Sequence, residues 1–110
     1  MTTNYTFVSD PGHGWLQVPL NELDALGITG QISMYSYVEG DTVWLEEDCD
    51  LSTYLHARFG TMEEIRAFMS TVKDVTVNGD SYIRNLARGP RTYSAPDDAC
   101  YYAELGVNGE

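Results

Sequence analysis

The chain reads as an α+β protein: a small antiparallel sheet built from β-hairpins, packed against two or three short helices. Three observations predict this. Residues Ser33 to Glu47 alternate in character on either side of a Glu39-Gly40-Asp41 turn, as the arms of a hairpin do. Asn78-Gly79 sits between two short runs rich in β-branched and aromatic residues. Capping signals at Asp50, Thr61 and Ser94 precede segments whose apolar residues recur at helical spacing. At 110 residues the chain supports one domain, 1–110, with one core. A hydrophobic share of 43% and thirteen aromatics set it among globular proteins despite a net charge of -11.

In chain order, Tyr5 to Val8 reads as a short strand, broken by Asp10-Pro11-Gly12, and His13 to Val18 as a second. Pro19 to Leu26 suits a short helix, because Leu20, Leu23 and Leu26 recur at three-residue spacing and Gly27 is placed to end it. The hairpin over about 33–47 follows. Met34, Ser36 and Val38 alternate with Tyr35 and Tyr37, and Val43 and Leu45 alternate with Thr42, Trp44 and Glu46. One face is aliphatic and the other aromatic. Asp50 stands where an N-cap belongs for a helix over 50–59, with Leu51, Tyr54, Leu55 and Phe59 on one side and Gly60 at its end. Thr61 and Glu64 form a capping-box pattern for a helix over 61–72, carrying Met62, Ile65, Met69 and Val72 on one side. Val75-Thr76-Val77 and Ser81-Tyr82-Ile83 flank Asn78-Gly79 and predict a second hairpin over about 74–84, with a type I′ turn. Ser94, Pro96, Asp97 and Asp98 open a helix over about 95–105, ended by Gly106, with a strand through Ala99 to Tyr102 as the rival.

Charge is distributed one-sidedly. From Met1 to Ala57 there is no lysine or arginine but there are nine carboxylates, four of them in the run Glu46, Glu47, Asp48, Cys49, Asp50. All six basic residues lie between Arg58 and Arg91. Such crowding costs self-repulsion, which a cationic partner, a bound cation or an internal partner offsets. Nucleic acid and anionic membranes are disfavoured as direct partners, and the basic surface of a protein or nucleoprotein complex is favoured. The internal alternative is that Arg84 to Arg91 folds back onto the acids.

The N-terminus lacks the basic and apolar regions of a signal peptide, no apolar run approaches a membrane span, and the expected compartment is the cytoplasm. Cys49 and Cys100 are accordingly expected as free thiols, Cys49 with its thiolate disfavoured by neighbouring carboxylates.

Several chemistries are open to these residues. The run Glu46 to Asp50 supplies oxygens for a divalent cation but lacks the glycine and closing glutamate of an EF-hand, and helix capping by Asp48 or Asp50 explains the acids without a ligand. His13 and His56, with Asp48 and Asp50, are the weaker metal alternative; they show no ligand-pair spacing such as His-x-x-x-His, and His13 reads more simply as a turn residue. No Gly-x-Ser-x-Gly elbow or phosphate-cradling loop occurs, so neither catalysis nor a cofactor is expected. On a strand, residues two apart lie on one face at roughly 6.6 to 6.8 Å, so Glu46, Asp48 and Asp50 would make a row of negative charge recalling phosphates if the strand ran that far. Tyr35, Tyr37 and Trp44 beside them would be interface anchors if exposed and core residues if not.

The segments His13-Gly14-Trp15-Leu16, Leu23, Leu26-Gly27-Ile28, Ile32-Ser33-Met34-Tyr35-Ser36-Tyr37 and Leu45-Glu46-Glu47-Asp48-Cys49-Asp50 resemble a family of small proteins carried by bacteriophages and mobile elements. The likeness covers about half the chain, and Ile83-Arg84-Asn85 extends it. It implies a genetic setting inside a bacterial cell and no particular activity. Setting and charge together lead to the expectation of a counter-defence protein, anti-CRISPR or anti-restriction. It would present Glu46, Glu47, Asp48, Asp50, Glu39 and Asp41 in place of phosphates to a basic surface of a host complex, with Tyr35, Tyr37 and Trp44 as anchors. The alternatives are an accessory module that binds a protein through the aromatic hairpin face, and a metal-dependent enzyme.

Overall fold

A computed structural model describes residues 5–90; the helix expected over 95–105 and its rival strand lie outside the described residues, as do Arg91 and Cys100. The first strand, β1, runs Thr6–Ser9 and the second, β2, Gly14–Pro19, each displaced by one residue from its expected span. They pair antiparallel with Phe7 opposite Leu16. The approach is close at Gly14, where an added Cβ would lie 2.4 Å from the Phe7 ring. Helix α1, Leu20–Leu26, ends as expected at Gly27, whose φ of 74° closes the last turn.

Strands β3, Tyr37–Glu39, and β4, Thr42–Glu46, form the first hairpin. Its two-residue loop is Gly40-Asp41, and Gly40 alone has positive φ, at 62°, which fits a type II′ turn. The first arm is shorter than expected. Ser33 to Ser36 turn instead of extending, with the Ser36 N–H on the Ser33 carbonyl at 3.4 Å, because both serine hydroxyls are drawn to Asp50.

Helix α2, Asp50–Arg58, carries Leu51, Tyr54 and Leu55 inward. Its N-cap is Cys49, with no capping bond from that side chain, so the expected cap at Asp50 is displaced by one residue and Asp50 is the first helical residue. Helix α3, Met62–Met69, opens with the full Thr61/Glu64 capping box and stops three residues short of the expected 72.

The second hairpin is not formed. Neither Asn78 nor Gly79 has positive φ, as a type I′ turn requires of both. Lys73–Thr76 becomes β5, paired in parallel with β1, and Tyr82–Asn85 becomes a 3-10 turn followed by the two-residue strand β6, Ala87–Arg88. Two local strands joined by Asn-Gly would have paired only with each other. Docked on β1, the first gains a four-pair ladder, and the second segment is captured by Asp10 and the aromatic face described below.

Among the described residues the sheet has six strands in the order β5-β1-β2-β4-β3-β6, antiparallel except at β5–β1. Alternation along the strands sends side chains to two different cores. Leu16, Val18, Val43 and Leu45 face the helices and pack with Leu23, Leu51, Tyr54, Leu55 and Ile65. Val8, Trp15, Tyr37 and Trp44 face the other way and pack under Ile83, with Leu86 and Val75 at the margin. The expectation of an α+β fold with a mainly antiparallel sheet therefore holds, while the sheet is wider than the two hairpins and has both faces covered.

Candidate functional site

Strand β4 delivers its last residue, Glu46, into the interior. Pairing with β2 ends at Trp15 opposite Glu46, and the chain then turns through Glu47, Asp48 and Cys49 into α2. Glu46 is 7% exposed. Its carboxylate accepts from the N–H groups of Asp48 at 2.7 Å, Cys49 at 3.1 Å and Asp50 at 3.4 Å, donors that a helix start leaves without partners. Asp50, 2% exposed, accepts from the Ser33 N–H at 3.1 and 3.2 Å, the Ser33 hydroxyl at 2.7 Å and the Ser36 hydroxyl at 2.5 Å. The Ser36 hydroxyl oxygen in turn accepts from the Glu46 N–H at 2.9 Å. Burial pushes both carboxyls above their ordinary range, against the opposing pull of these donors.

The expected row of Glu46, Asp48 and Asp50 is thus absent. The strand stops at its first member, and the first and third are spent on the interior. Glu47 and Asp48 remain exposed, with Glu47 anchored beside β2 through its N–H on the Gly14 carbonyl at 3.0 Å. Asp41 is exposed in the hairpin loop at the opposite end of β4, about 20 Å away at strand rise. Glu39 is exposed but engaged: its Oε1 accepts from Trp44 Nε1 at 3.1 Å and from the Tyr82 hydroxyl at 2.9 Å.

Two of the three expected anchors belong to the core. Trp44 is 4% and Tyr37 7% exposed, both beneath the segment Ser81–Gly89, and only Tyr35, at 41%, faces solvent. Both hairpin faces are bulky, so alternation alone did not say which was covered. A segment that begins 37 residues after Trp44 decides it.

That segment is tied down by Asp10. Its buried carboxylate accepts from Arg84 Nε at 2.6 Å and Nη2 at 2.8 Å, from the Ser81 N–H at 3.0 Å, and from the Gly12 and His13 N–H groups at 3.0 and 2.9 Å. The Arg84 guanidinium holds the Asp10 carboxyl far below the ordinary carboxylate range and lies 5.5 Å from the centre of the Trp15 ring system. Arg88 sits 5.2 Å over the Tyr37 ring and donates to the Met34 carbonyl at 2.9 Å. Neither described arginine of the 84–91 stretch pairs with the acidic run, whose exposed members have no ion pair among the described residues.

On the helical side, Glu22 accepts from the hydroxyls of Tyr5 and Tyr54, both at 2.8 Å, and pairs with Arg58 at 3.2 Å. Arg58 donates to both tyrosine oxygens and stacks within 4.9 Å of the Phe59 and Phe68 ring centres. Burial and the Glu22 hydrogen bond push the Tyr54 hydroxyl up, leaving it a firmly protonated donor. This group joins α1, α2 and the start of the chain, and every buried side-chain polar atom among the described residues has a partner.

The metal alternative is not assembled. His13 is exposed in the β1–β2 turn, with its ring 6.1 Å from Trp15, and His56 is exposed on α2, while Asp50 is held by the serines. The one grouping of potential ligands among the described residues is Glu46, Cys49 and Asp50. Their carboxylates already accept the hydrogen bonds above. Cys49 is held in a disulfide, not as the free thiol expected.

Sequence reasoning missed Asp10, Arg84, Ser33, Ser36, Glu22 and Arg58 as organising residues. Asp10 carried a usable signal, since an aspartate followed by Pro-Gly favours capture of the N–H groups two and three residues on. The Asp10–Arg84 pair, 74 residues apart, carried none. Comparison of the chain with family models, curated proteins and solved structures finds no match.

Proposed function

We propose that this chain is a non-enzymatic acidic binding protein that occupies a basic, nucleic-acid-handling surface of a host defence complex, as an anti-CRISPR or anti-restriction protein of phage type. One observation carries the reading: Arg58, Arg84 and Arg88 are turned onto internal carboxylates, rings and carbonyls, whereas Asp41, Glu47 and Asp48 are open and unpaired among the described residues. Three of the five described basic residues are thereby spent on the fold; Arg66 and Lys73 stay at the surface, where exposed carboxylates outnumber them and leave a surplus of negative charge. The charges lie at two ends of β4 and do not repeat along a strand, so they act as two separate contact points for cations. The accessory-module reading loses its anchors, because Tyr37 and Trp44 are core residues.

The test uses purified nuclease complexes from the host, with DNA cleavage and protein association as readouts. Inhibition should weaken as salt is raised from low to about 0.5 M, and duplex DNA should compete for the same surface. Glu47→Lys with Asp48→Lys should slow association by roughly tenfold or more at low salt. Unchanged association after those reversals and at high salt sinks the electrostatic reading.

A further inference from the structure

The two tryptophans of the chain, Trp15 and Trp44, both lie on the sheet face away from the helices, beside Tyr37. Among the described residues, what covers them is Ser81–Gly89, with Val75 at the margin. Ser81–Gly89 contributes one fully buried side chain, Ile83, a half-buried Leu86, a 3-10 turn and only two residues of strand pairing, Tyr37 with Arg88 and Val38 with Ala87. The helix-backed core, by contrast, contains eleven buried residues from every layer. The attachment of this cover is concentrated in a few polar bonds. Three of the five donors on Asp10 come from Ser81 and Arg84, Tyr82 reaches Glu39 and sets its ring edge-on to Trp44, Arg88 reaches the Met34 carbonyl and lies over Tyr37, and the Gly89 N–H reaches the Ser36 carbonyl at 2.9 Å. A segment with little buried apolar area and a few localised polar ties belongs to the low-stability end of a fold.

We propose that Ser81–Gly89 is a latched strap that opens as a unit while the helix-backed core stays folded, and that the aromatic face it uncovers is a conditional docking surface for an extended peptide. The strap itself defines the chemistry of that peptide. An aliphatic side chain enters between Trp15, Tyr37 and Trp44, as Ile83 does, and an adjacent arginine clamps Asp10 while lying over Trp15, as Arg84 does. Asp10 is thus both the latch for the strap and the specificity residue for a competing segment. A basic peptide also suits the charge of the molecule.

Arg84→Gln tests this, because it cuts the latch and leaves Asp10 and its bonds to Gly12 and His13 in place. Tryptophan emission should move to the red, and amide exchange across Ile83, Leu86 and Gly89 should quicken together by about tenfold or more, while Val43, Leu45 and the α2 amides keep their rates. Excess synthetic peptide of residues 80–89, which carries Arg84 as well as Arg88, should reverse the emission shift; the same peptide with Arg84→Gln and Arg88 kept should not. Tyr82→Phe, which removes only the Glu39 bond, should give a smaller effect of the same kind. In the unaltered protein the strap amides should already exchange faster than those of β2 and β4. Equal exchange in the strap and those strands, or no response of Arg84→Gln to the arginine peptide, overturns the proposal.

Discussion

Ser36 shows how much one small side chain holds. Its hydroxyl donates to Asp50 and accepts from the N–H of Glu46, so it bridges two buried carboxylate-bearing residues on different elements. Ser36→Ala strips a donor from a buried carboxylate and orphans a buried N–H, and should cost about 1–3 kcal/mol in urea denaturation. Tyr35→Ala, at the exposed neighbour, should stay within about 0.5 kcal/mol. The buried acids also oppose one another in pH. Asp10 titrates below its ordinary 3.8 when folded, so the unfolded chain takes up its proton first, and this contribution is present above that value and lost as pH falls further. Glu46 and Asp50 titrate above their ordinary 4.5 and 3.8, so the folded state keeps protons the unfolded chain has released; their contribution is greatest below those values and is lost as pH rises through the folded pKa. Denaturation midpoints measured across pH should therefore show a smaller acid-side fall in Asp10→Asn and a smaller fall with rising pH in Asp50→Asn, where Glu46 still contributes its share. If Asp50→Asn leaves the rising-pH limb unchanged, burial is not what sets its titration.

At the scale of elements, local chemistry succeeds where the element closes on itself and fails where a distant partner competes. The Thr61/Glu64 box and the Gly27 stop involve bonds within a turn, and both are found where the residues predict them. Asn78-Gly79 has as strong a local signal, yet β1 and Asp10 offer its flanks more than they offer each other. This difference is measurable at glycines. Gly79 lies in open space with no positive φ, so Gly79→Ala should be neutral or stabilise by up to about 1 kcal/mol through the unfolded chain. Gly40 has φ 62°, and Gly40→Ala should cost about 1 kcal/mol or more. A Gly79→Ala variant as damaged as Gly40→Ala would mean that 78–79 does adopt the turn its sequence favours.

Across the whole molecule, fold and candidate interface separate by burial. Within residues 13–16, 32–37 and 45–50, Trp15, Leu16, Ile32, Ser33, Ser36, Tyr37, Leu45, Glu46, Cys49 and Asp50 are buried, so most of these residues go to building the sheet corner. The exposed remainder also holds His13, Met34 and Tyr35; its two acids, Glu47 and Asp48, are what binding experiments should address. Trp44→Ala should cost roughly 3–5 kcal/mol of stability and so cannot report on an interface. Glu47→Lys should leave the thermal midpoint within a few degrees while slowing association with a basic partner. A collapse of the fold in Glu47→Lys would place that residue with the buried acids.

The order of amino acids by itself determined the class of fold, the first hairpin, the three helices before residue 70 and the excess of negative charge, because these depend on neighbours within a turn or on simple sums. Only the tertiary structure decided which carboxylates reach solvent, which arginines are bound to groups of the fold, and that the aromatic face lies under Ser81–Gly89. Each of those outcomes is settled by residues far apart in the chain. Burial of a charge is favourable only where donors from other elements converge on it, as Ser33 and Ser36 do on Asp50 and Arg84 does on Asp10.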